Sequence, residues 1–483
     1  MFDLRPVFLV IGLALSVTAL AMCLPAVVDA VHGNDDWLVF AASAAVTMFV
    51  GQMLAVANRT VRHQTFTVRQ IFLLSSAGWL AVGLVASLPF AFSGLHLSPT
   101  DAVFEAMSGV TGTAATVLRG LDQAPPGILL WRALLQWLGG MGFLVVATAV
   151  LPTLNIGGMQ LFRLESSTYG ERVAPRLTKV VVSLLALYVA LTVLLTLLLW
   201  AAGMSRFPAL LHALSTISCG GFSTSDGSIG HWRSPAVDWV VLFGMLLGGA
   251  PFVLYLQLVQ RRWRSALQNS QLHWYLGILA LATVAIAVWL IGNTPVKPLP
   301  ALRHAAFTAV SVLTGTGFAT LDWGRWTGMP AAILFFLTLV GGCAGSAAGG
   351  LKIFRLQILY ATARAQLGRL VRPHAVLLPQ YEHRPVPDPV AESVLGFLFV
   401  YTFSFALVAL GLGLLGLDFL SSISLAASAL ANLGPGLTDT VGPLAGFGGL
   451  PEAAKWLLAA AMLFGRLEMF VVLVLFAPAF WKP

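Results

Sequence analysis

The sequence predicts an all-α, polytopic membrane fold made of four copies of one unit, with two further transmembrane helices ahead of them. Each unit reads as a span, a half-helix, an irregular strand and a second span. Composition, recurring apolar runs and a segment found four times carry this prediction. Of the 483 residues, 58% are apolar and only 10% are charged, whereas an ordinary soluble domain carries about 25% charged residues. A water-soluble globule of this length cannot cover its surface with so few charges. Apolar runs long enough to cross a bilayer, about 20 residues, occur at 7–28, 38–57, 71–92, 178–202, 274–292, 392–415 and 456–480.

The net charge of +8 reports topology and forms no nucleic-acid footprint. With residue 1 on the cytoplasmic side, that side receives Arg5, Arg59, Arg62, Arg69, Arg163, Arg172, Arg176, Lys179 and the group Arg261, Arg262 and Arg264. It also receives Lys352, Arg355, Arg364, Arg369, Arg372, Arg384 and Lys482. The opposite side receives fewer: Arg119, Arg132, Arg206, Arg233, Lys297, Arg303, Arg325 and Lys455. The positive-inside rule then puts both termini in the cytoplasm. Cys23, Cys219 and Cys343 form no metal-ligand spacing and predict neither a disulfide nor a zinc site. The first apolar stretch is long for a signal peptide and is read as a retained span.

Four segments share one form: Ser108-Gly-Val-Thr-Gly-Thr-Ala114, Ser215-Thr-Ile-Ser-Cys-Gly-Gly221, Ser311-Val-Leu-Thr-Gly-Thr-Gly317 and Ser428-Ala-Leu-Ala-Asn-Leu-Gly434. Each starts at Ser and reaches Gly, or Ala in the first copy, six residues later. They recur roughly every hundred residues, as an internal repeat does. Ahead of each Ser lies a short apolar stretch (100–110, 208–217, 300–313, 418–430), too short to span a bilayer. These stretches open on Thr100, Pro208, Pro300 and Asp418, residues that start helices. A full span follows each copy, at 127–152, 236–260, 330–358 and 452–480. The expected count is ten spans and four re-entrant helices. The organisation reads as 1–70 for the two leading helices, 71–177, 178–270 and 271–390 for the first three units, and 391–483 for the fourth. Close helix packing explains Gly139-Gly140, Gly248-Gly249 and the alanines at 459–461. It does not explain the repeated strands, whose unpaired backbone survives at membrane depth only when buried in protein or lining water.

Such strands suit a cation. Their carbonyl oxygens replace a hydration shell, and each half-helix points its partly negative C-terminal end at the same place. Glycine permits backbone angles closed to other residues and lets strands approach one axis. Four of them around a pseudo-fourfold pore give a carbonyl filter without carboxylates, fitted to a weakly hydrated monovalent ion.

At this point the chain resembles a known family, the bacterial Trk-type potassium uptake subunits (TrkH), within the superfamily that holds KtrB and the plant high-affinity potassium transporters. The resemblance covers nearly the whole chain. It rests on Phe104-Glu-Ala-Met-Ser-Gly109, Trp131-Arg-Ala-Leu-Leu-Gln-Trp-Leu-Gly-Gly-Met-Gly142, the stretch 155–165, and Ile217 to Thr224. It continues in Gly341-Gly-Cys-Ala-Gly-Ser-Ala-Ala-Gly-Gly-Leu-Lys352, Asn432-Leu-Gly-Pro-Gly436 and Gly465-Arg-Leu-Glu468. It implies potassium uptake across the bacterial inner membrane, a homodimer with a pore in each protomer, and a cytoplasmic RCK-type nucleotide-binding regulatory partner (TrkA). The K+ filter carries over as Thr111, Gly112, Thr113 and Ala114; Cys219, Gly220 and Gly221; Thr316 and Gly317; and Asn432, Leu433 and Gly434. A gate carries over as Gly345, Ser346 and Gly349 in the intramembrane loop 341–350, with Arg466 below the filter. No cofactor is implied, and K+ is the transported ion.

Ala114 departs from the family, which has glycine there. Gly112 replaces it only if the strand slides by two residues, and a Ser at this place accompanies sodium permeation in some plant relatives. The methyl is expected to narrow the axis or turn one carbonyl away. Two alternatives therefore stand beside potassium uptake: a poorly selective K+/Na+ conductor of the same fold, and K+ symport with H+ or Na+. Arg466 reads as a cationic barrier or, in the plainer reading, as a partner of Glu468 or a helix carbonyl. Glu105 and Asp101 are expected to cap and neutralise. Asp226, Asp238, Asp322 and Asp439 lie outside and either concentrate cations at the mouth or form plain solvated surface. Gly345 to Lys352 lacks the Gly-Lys-Ser/Thr of a phosphate loop, and no motif of an enzyme site is present.

Overall fold

The computed structural model describes residues 3–59, 66–147, 154, 157–159, 173–382 and 384–482. Two long apolar helices, α1 (Arg5–His32) and α2 (Asp36–Ala57), lead the chain and pack along their length. Gly12 and Gly51 allow this: a Cβ on either would press within 3 Å of the other helix's backbone.

The first unit runs through α3 (Val68–Ala86), half-helix α4 (Pro99–Thr111) and α5 (Pro126–Val145). The second has α6 (Val173–Ala201), half-helix α7 (Arg206–Ile217) and α8 (Pro235–Gly249) followed by α9 (Phe252–Val259). The third has α10 (Ser270–Asn293), half-helix α11 (Pro298–Leu313), α12 (Met329–Val340) and α13 (Ile353–Val371). The fourth has α14 (Asp388–Leu414), half-helix α15 (Phe419–Ala431), α16 (Glu452–Arg466) and α17 (Phe470–Leu473). All four half-helices fall within two residues of their expected places. Their N-caps Ser98, Ser205 and Lys297 lie two or three residues ahead of the expected starts, while Asp418 is itself the cap.

Three of the ten expected spans are interrupted, one at the expected loop 341–350 and two at bends that the sequence does not announce. Among the described residues seven helices are long and apolar enough to cross a membrane, and nine if each of two bent pairs is one span. The run 236–260 turns by 95° between α8 and α9, at Ala250-Pro251, and 452–480 turns by 105° after Arg466. The run 330–358 is split by an irregular segment, and α12 alone is too short to cross. Apolar composition conceals such breaks because it persists through them. Proline supplies one of them: Pro251 has no N–H and its ring cannot continue the preceding helix. The end of the run 127–152, residues 155–156 and 160–165 of the stretch 155–165, and Arg62, Arg163 and Arg172 lie outside the described residues.

Candidate functional site

The half-helices end alike. In each, the backbone N–H five residues beyond the repeat's Ser donates to that Ser's carbonyl: Thr113 to Ser108 (2.9 Å), Gly220 to Ser215 (2.8 Å), Thr316 to Ser311 (2.9 Å) and Leu433 to Ser428 (2.9 Å). This is the bond that closes a helix whose next residue has turned left-handed. The left-handed residues are Gly112, Cys219, Gly315 and Asn432, with φ of 67°, 52°, 71° and 56°. Two residues on, φ is positive again, at Ala114 (63°), Gly221 (79°), Gly317 (81°) and Gly434 (98°). The four strands thus keep one register, with Ala114 at the glycine position as expected, and the two-residue slide that would let Gly112 replace it does not occur. Gly112 serves the helix end, and Ala114 takes the glycine conformation itself at the cost that an L-side chain meets there.

These second glycines set how close the strands come. A Cβ on Gly221 would overlap the Thr316 carbonyl, and one on Gly434 would overlap the Thr113 carbonyl. On Gly317 it would sit 2.5 Å from the Leu433 carbonyl oxygen, and the Gly221 position lies 3.1 Å from the Ala114 methyl. The strands therefore meet in cyclic order, first to second to third to fourth and back to first. Outside them a cavity of about 350 Å³ is lined by Ala114, Gly221, Gly317, Pro435 and Asp439, among others.

Side chains buried behind the strands hold them in place. Glu105 accepts from Arg132 Nε (2.8 Å), the Thr116 hydroxyl (2.9 Å) and Val117 N–H (2.9 Å), and Arg132 donates on to the Ser223 carbonyl (2.9 Å). Gln136 accepts from Phe222 N–H (2.9 Å) and donates to the Gly220 carbonyl (2.6 Å). Asn432 donates to the Thr113 hydroxyl (3.0 Å) and to the Met462 carbonyl (2.9 Å). The Thr111 and Thr113 hydroxyls pair (2.7 Å), as do those of Thr314 and Thr316. Glu105 thus neutralises as expected, while Asp101 pairs with Lys455 (2.6 Å). Sequence reasoning missed Arg132 and Gln136 as braces. The signal was available: two polar residues one turn apart on one side of an otherwise apolar span.

The loop between α12 and α13 lies against the C-terminal end of a half-helix. A Cβ on Gly349 would overlap the Ala431 carbonyl at the end of half-helix α15. The loop is tied to the bend of the second unit, with Cys343 N–H on the Gly249 carbonyl (3.1 Å), Ala347 N–H on that of Gly248 (3.2 Å), and Phe252 N–H on that of Gly345 (2.9 Å). Ser346 donates to the Cys343 carbonyl (2.6 Å), and Gly345 takes φ of 73°. Gly248 and Gly249 pack closely, as expected, and their carbonyls also anchor this loop.

Arg466 is buried and donates through Nη1 to the Ala347 carbonyl (2.9 Å), with the Phe143 ring 4.2 Å from its guanidinium. Among the described residues, Nε and Nη2 have no acceptor. Nη2 lies 3.7 Å from where a Cβ on Gly112 would be, so the charge faces the strands. Of the plainer reading's two partners for Arg466, Glu468 is ruled out, since that carboxylate is taken by Lys352 (2.9 Å) and Arg355 (2.5 Å), and the bond Arg466 does make is to a backbone carbonyl. Lys352 and Glu468 each have positive φ, 69° and 61°, so their ion pair joins the end of the loop to the bend after α16.

The outer carboxylates divide. Asp226 accepts from the N–H groups of Gly120 (2.8 Å) and Leu121 (3.2 Å), Asp238 pairs with Arg303 (3.0 Å), and Asp322 pairs with Arg325 (3.2 Å). Those three are committed to structure, and Asp439 is left exposed at the cavity. Asp418 caps α15, and hydrogen bonds from Ser421 hold its carboxyl below the usual carboxylate range.

Comparison with known proteins agrees with this architecture. The family model of TrkH cation transport proteins matches residues 38–482. The Trk system potassium uptake protein TrkI of Halomonas elongata is 37% identical over 99% of this chain and 97% of its own length. The Trk system potassium uptake protein TrkH of Escherichia coli K12 is 36% identical over 99% of both chains. The crystal structure of the potassium transporter TrkH from Vibrio parahaemolyticus superposes over all of both chains with a TM-score of 0.92 at 34% identity. With the four strands, their half-helices and the loop beneath them in one register along the whole length, this chain belongs to the TrkH family of cation transport proteins, which are ion transporters and not enzymes.

Proposed function

We propose that the chain takes up potassium across the bacterial inner membrane through a gated, channel-like pore, with both termini in the cytoplasm. The cyclic approach of the four strands carries this reading. It surrounds one axis with the carbonyls of Thr113, Thr316 and Leu433, to which no described residue donates a hydrogen bond. Unpaired buried carbonyls are costly, and a partly dehydrated monovalent cation is what they suit. Thr111, Gly112, Thr113, Ala114, Cys219, Gly220, Gly221, Thr316, Gly317, Asn432, Leu433 and Gly434 make up this filter. Gly345, Ser346 and Gly349 with Arg466 make up the gate, whose cation repels ions until the loop moves. Membrane potential drives entry, at about 2.3 kcal/mol per charge per 100 mV. The relatives bear the names of Trk system potassium uptake proteins, and this supports a homodimer regulated by a cytoplasmic RCK-type subunit, TrkA.

Symport is the weaker reading. Arg466, Lys352, Arg355 and Glu468 are charges near the pathway, and Glu468 is committed to two cations. The test is the reversal potential of the reconstituted protein in a K+ gradient. Agreement with the K+ equilibrium potential at every pH supports a uniporter, and a shift with an imposed pH or Na+ gradient supports coupling.

A further inference from the structure

Three tiers of carbonyls belong to the strands, those four, five and six residues beyond each repeat's Ser. Among the described residues, the carbonyl of Gly220 is the one in these tiers that accepts a hydrogen bond. Gln136 makes that bond (2.6 Å), and its Oε1 receives the N–H of Phe222 (2.9 Å). One side-chain amide therefore grips two backbone groups that point the same way, toward α5. The glycine itself leans on this side chain, since a Cβ on Gly220 would lie 2.5 Å from Gln136 Cδ.

The place left by that carbonyl is filled. On three strands the second left-handed residue is glycine, and the position its Cβ would take falls on the neighbouring strand's middle-tier carbonyl: Gly221 on Thr316, Gly317 on Leu433, and Gly434 on Thr113. The remaining pair, first strand to second, would by the same relation bring residue 114 onto the carbonyl of Gly220. Residue 114 carries a methyl, which lies 3.1 Å from the Cβ position of Gly221. A real Cβ cannot share space with a carbonyl oxygen, and here that oxygen is found bonded to Gln136 instead.

We propose that Gln136 is a positioning residue for ion selectivity: with the Ala114 methyl it holds the Gly220 carbonyl out of the ring, leaving a three-carbonyl middle tier that admits Na+ more readily than a complete one. This rests on the reading of the strands as the potassium pathway. Fewer ligands at fixed spacing compensate K+ dehydration less fully, and a smaller ion that draws its ligands in loses least.

The two residues act on one oxygen, so their effects on selectivity are not additive. The experiment measures K+/Na+ permeability ratios from bi-ionic reversal potentials in reconstituted wild type, Ala114→Gly, Gln136→Leu and the double variant. Gln136→Met, alone and with Ala114→Gly, serves where Leu packs badly. Each single change is expected to move the ratio by no more than about threefold, because the other residue still excludes the carbonyl. The double change is expected to raise it about tenfold or more over wild type, ~1.4 kcal/mol. A full gain from Ala114→Gly alone, or the same effect of the position-136 change in both backgrounds, overturns the proposal while leaving potassium transport intact. Absence of K+ current from wild type overturns the transport reading itself.

Discussion

Glycine to alanine at the three close approaches is a graded perturbation of one ring. Gly221, Gly317 and Gly434 all have positive φ, so a side chain costs about 1–2 kcal/mol in backbone strain before any contact is counted. The contacts then rank the sites. At Gly317 the new methyl would sit 2.5 Å from the Leu433 oxygen and 2.9 Å from Pro435 Cδ, and real Cβ contacts essentially never fall below 3.0 Å. A shift of about half an ångström relieves it. At Gly434, and most of all at Gly221, the methyl would overlap the neighbouring carbonyl and force a larger shift. Strain and displacement at Gly317 are expected to lower the K+ over Na+ preference about tenfold, ~1.4 kcal/mol, with Gly434→Ala worse and Gly221→Ala worst. Gly317→Ser should act in the same direction as Gly317→Ala. The assay is paired K+ and Na+ uptake at matched membrane expression. Wild-type ratio and rate in Gly221→Ala would remove these strands from the ion pathway, and a reversed ranking would refute the geometric argument.

Deleting Cys343–Ala347 removes the hydrogen bonds to Gly248 and Gly249 and the carbonyl that holds Arg466; basal flux should rise and depend less on the proposed cytoplasmic partner, and a folded deletion that conducts no faster would make the loop packing alone. Arg466→Ala should likewise raise basal K+ flux in uptake assays, whereas Arg466→Lys should keep flux near wild type. Glu105→Ala leaves Arg132 buried without its carboxylate and should cost about 3–5 kcal/mol, seen as lost folded yield in detergent; a stable variant would show that the brace is dispensable. Asp418→Ala should cost about 1 kcal/mol. Because the Asp418 carboxyl titrates lower in the folded chain than in the unfolded one, its contribution is complete above the ordinary Asp range and fades as pH falls through the folded value, which thermal denaturation at acid pH would record.

Much of the site was legible because the strands repeat. The spacing of six from Ser to Gly gives a sequence register that the fold obeys four times, and it aligns Ala114 with the three glycines despite the tempting Gly112, while the left-handed residue at the fourth position was not announced. The half-helix lengths followed from the same register. What stayed hidden was long-range. Gln136 meets Gly220, and Glu105 meets Val117 through a brace whose other half, Arg132, belongs to a different helix. No local pattern encodes such pairings. The bends after Gly249 and Arg466 were missed because apolar periodicity is blind to a change of direction inside the membrane. The pairing of Glu468 with Lys352 and Arg355 escaped for a related reason: Arg466 is nearer in sequence, but the left-handed Glu468 turns away from it.

The most direct test of the central claim is a current measurement on the purified, reconstituted chain under a K+ gradient, with Na+ and pH varied independently. The account predicts a current that reverses near the K+ equilibrium potential, is indifferent to pH, and loses its ion preference when Gly221, Gly317 or Gly434 gains a methyl. A reversal potential that follows the proton gradient, or one that the three glycine substitutions leave untouched, would contradict it.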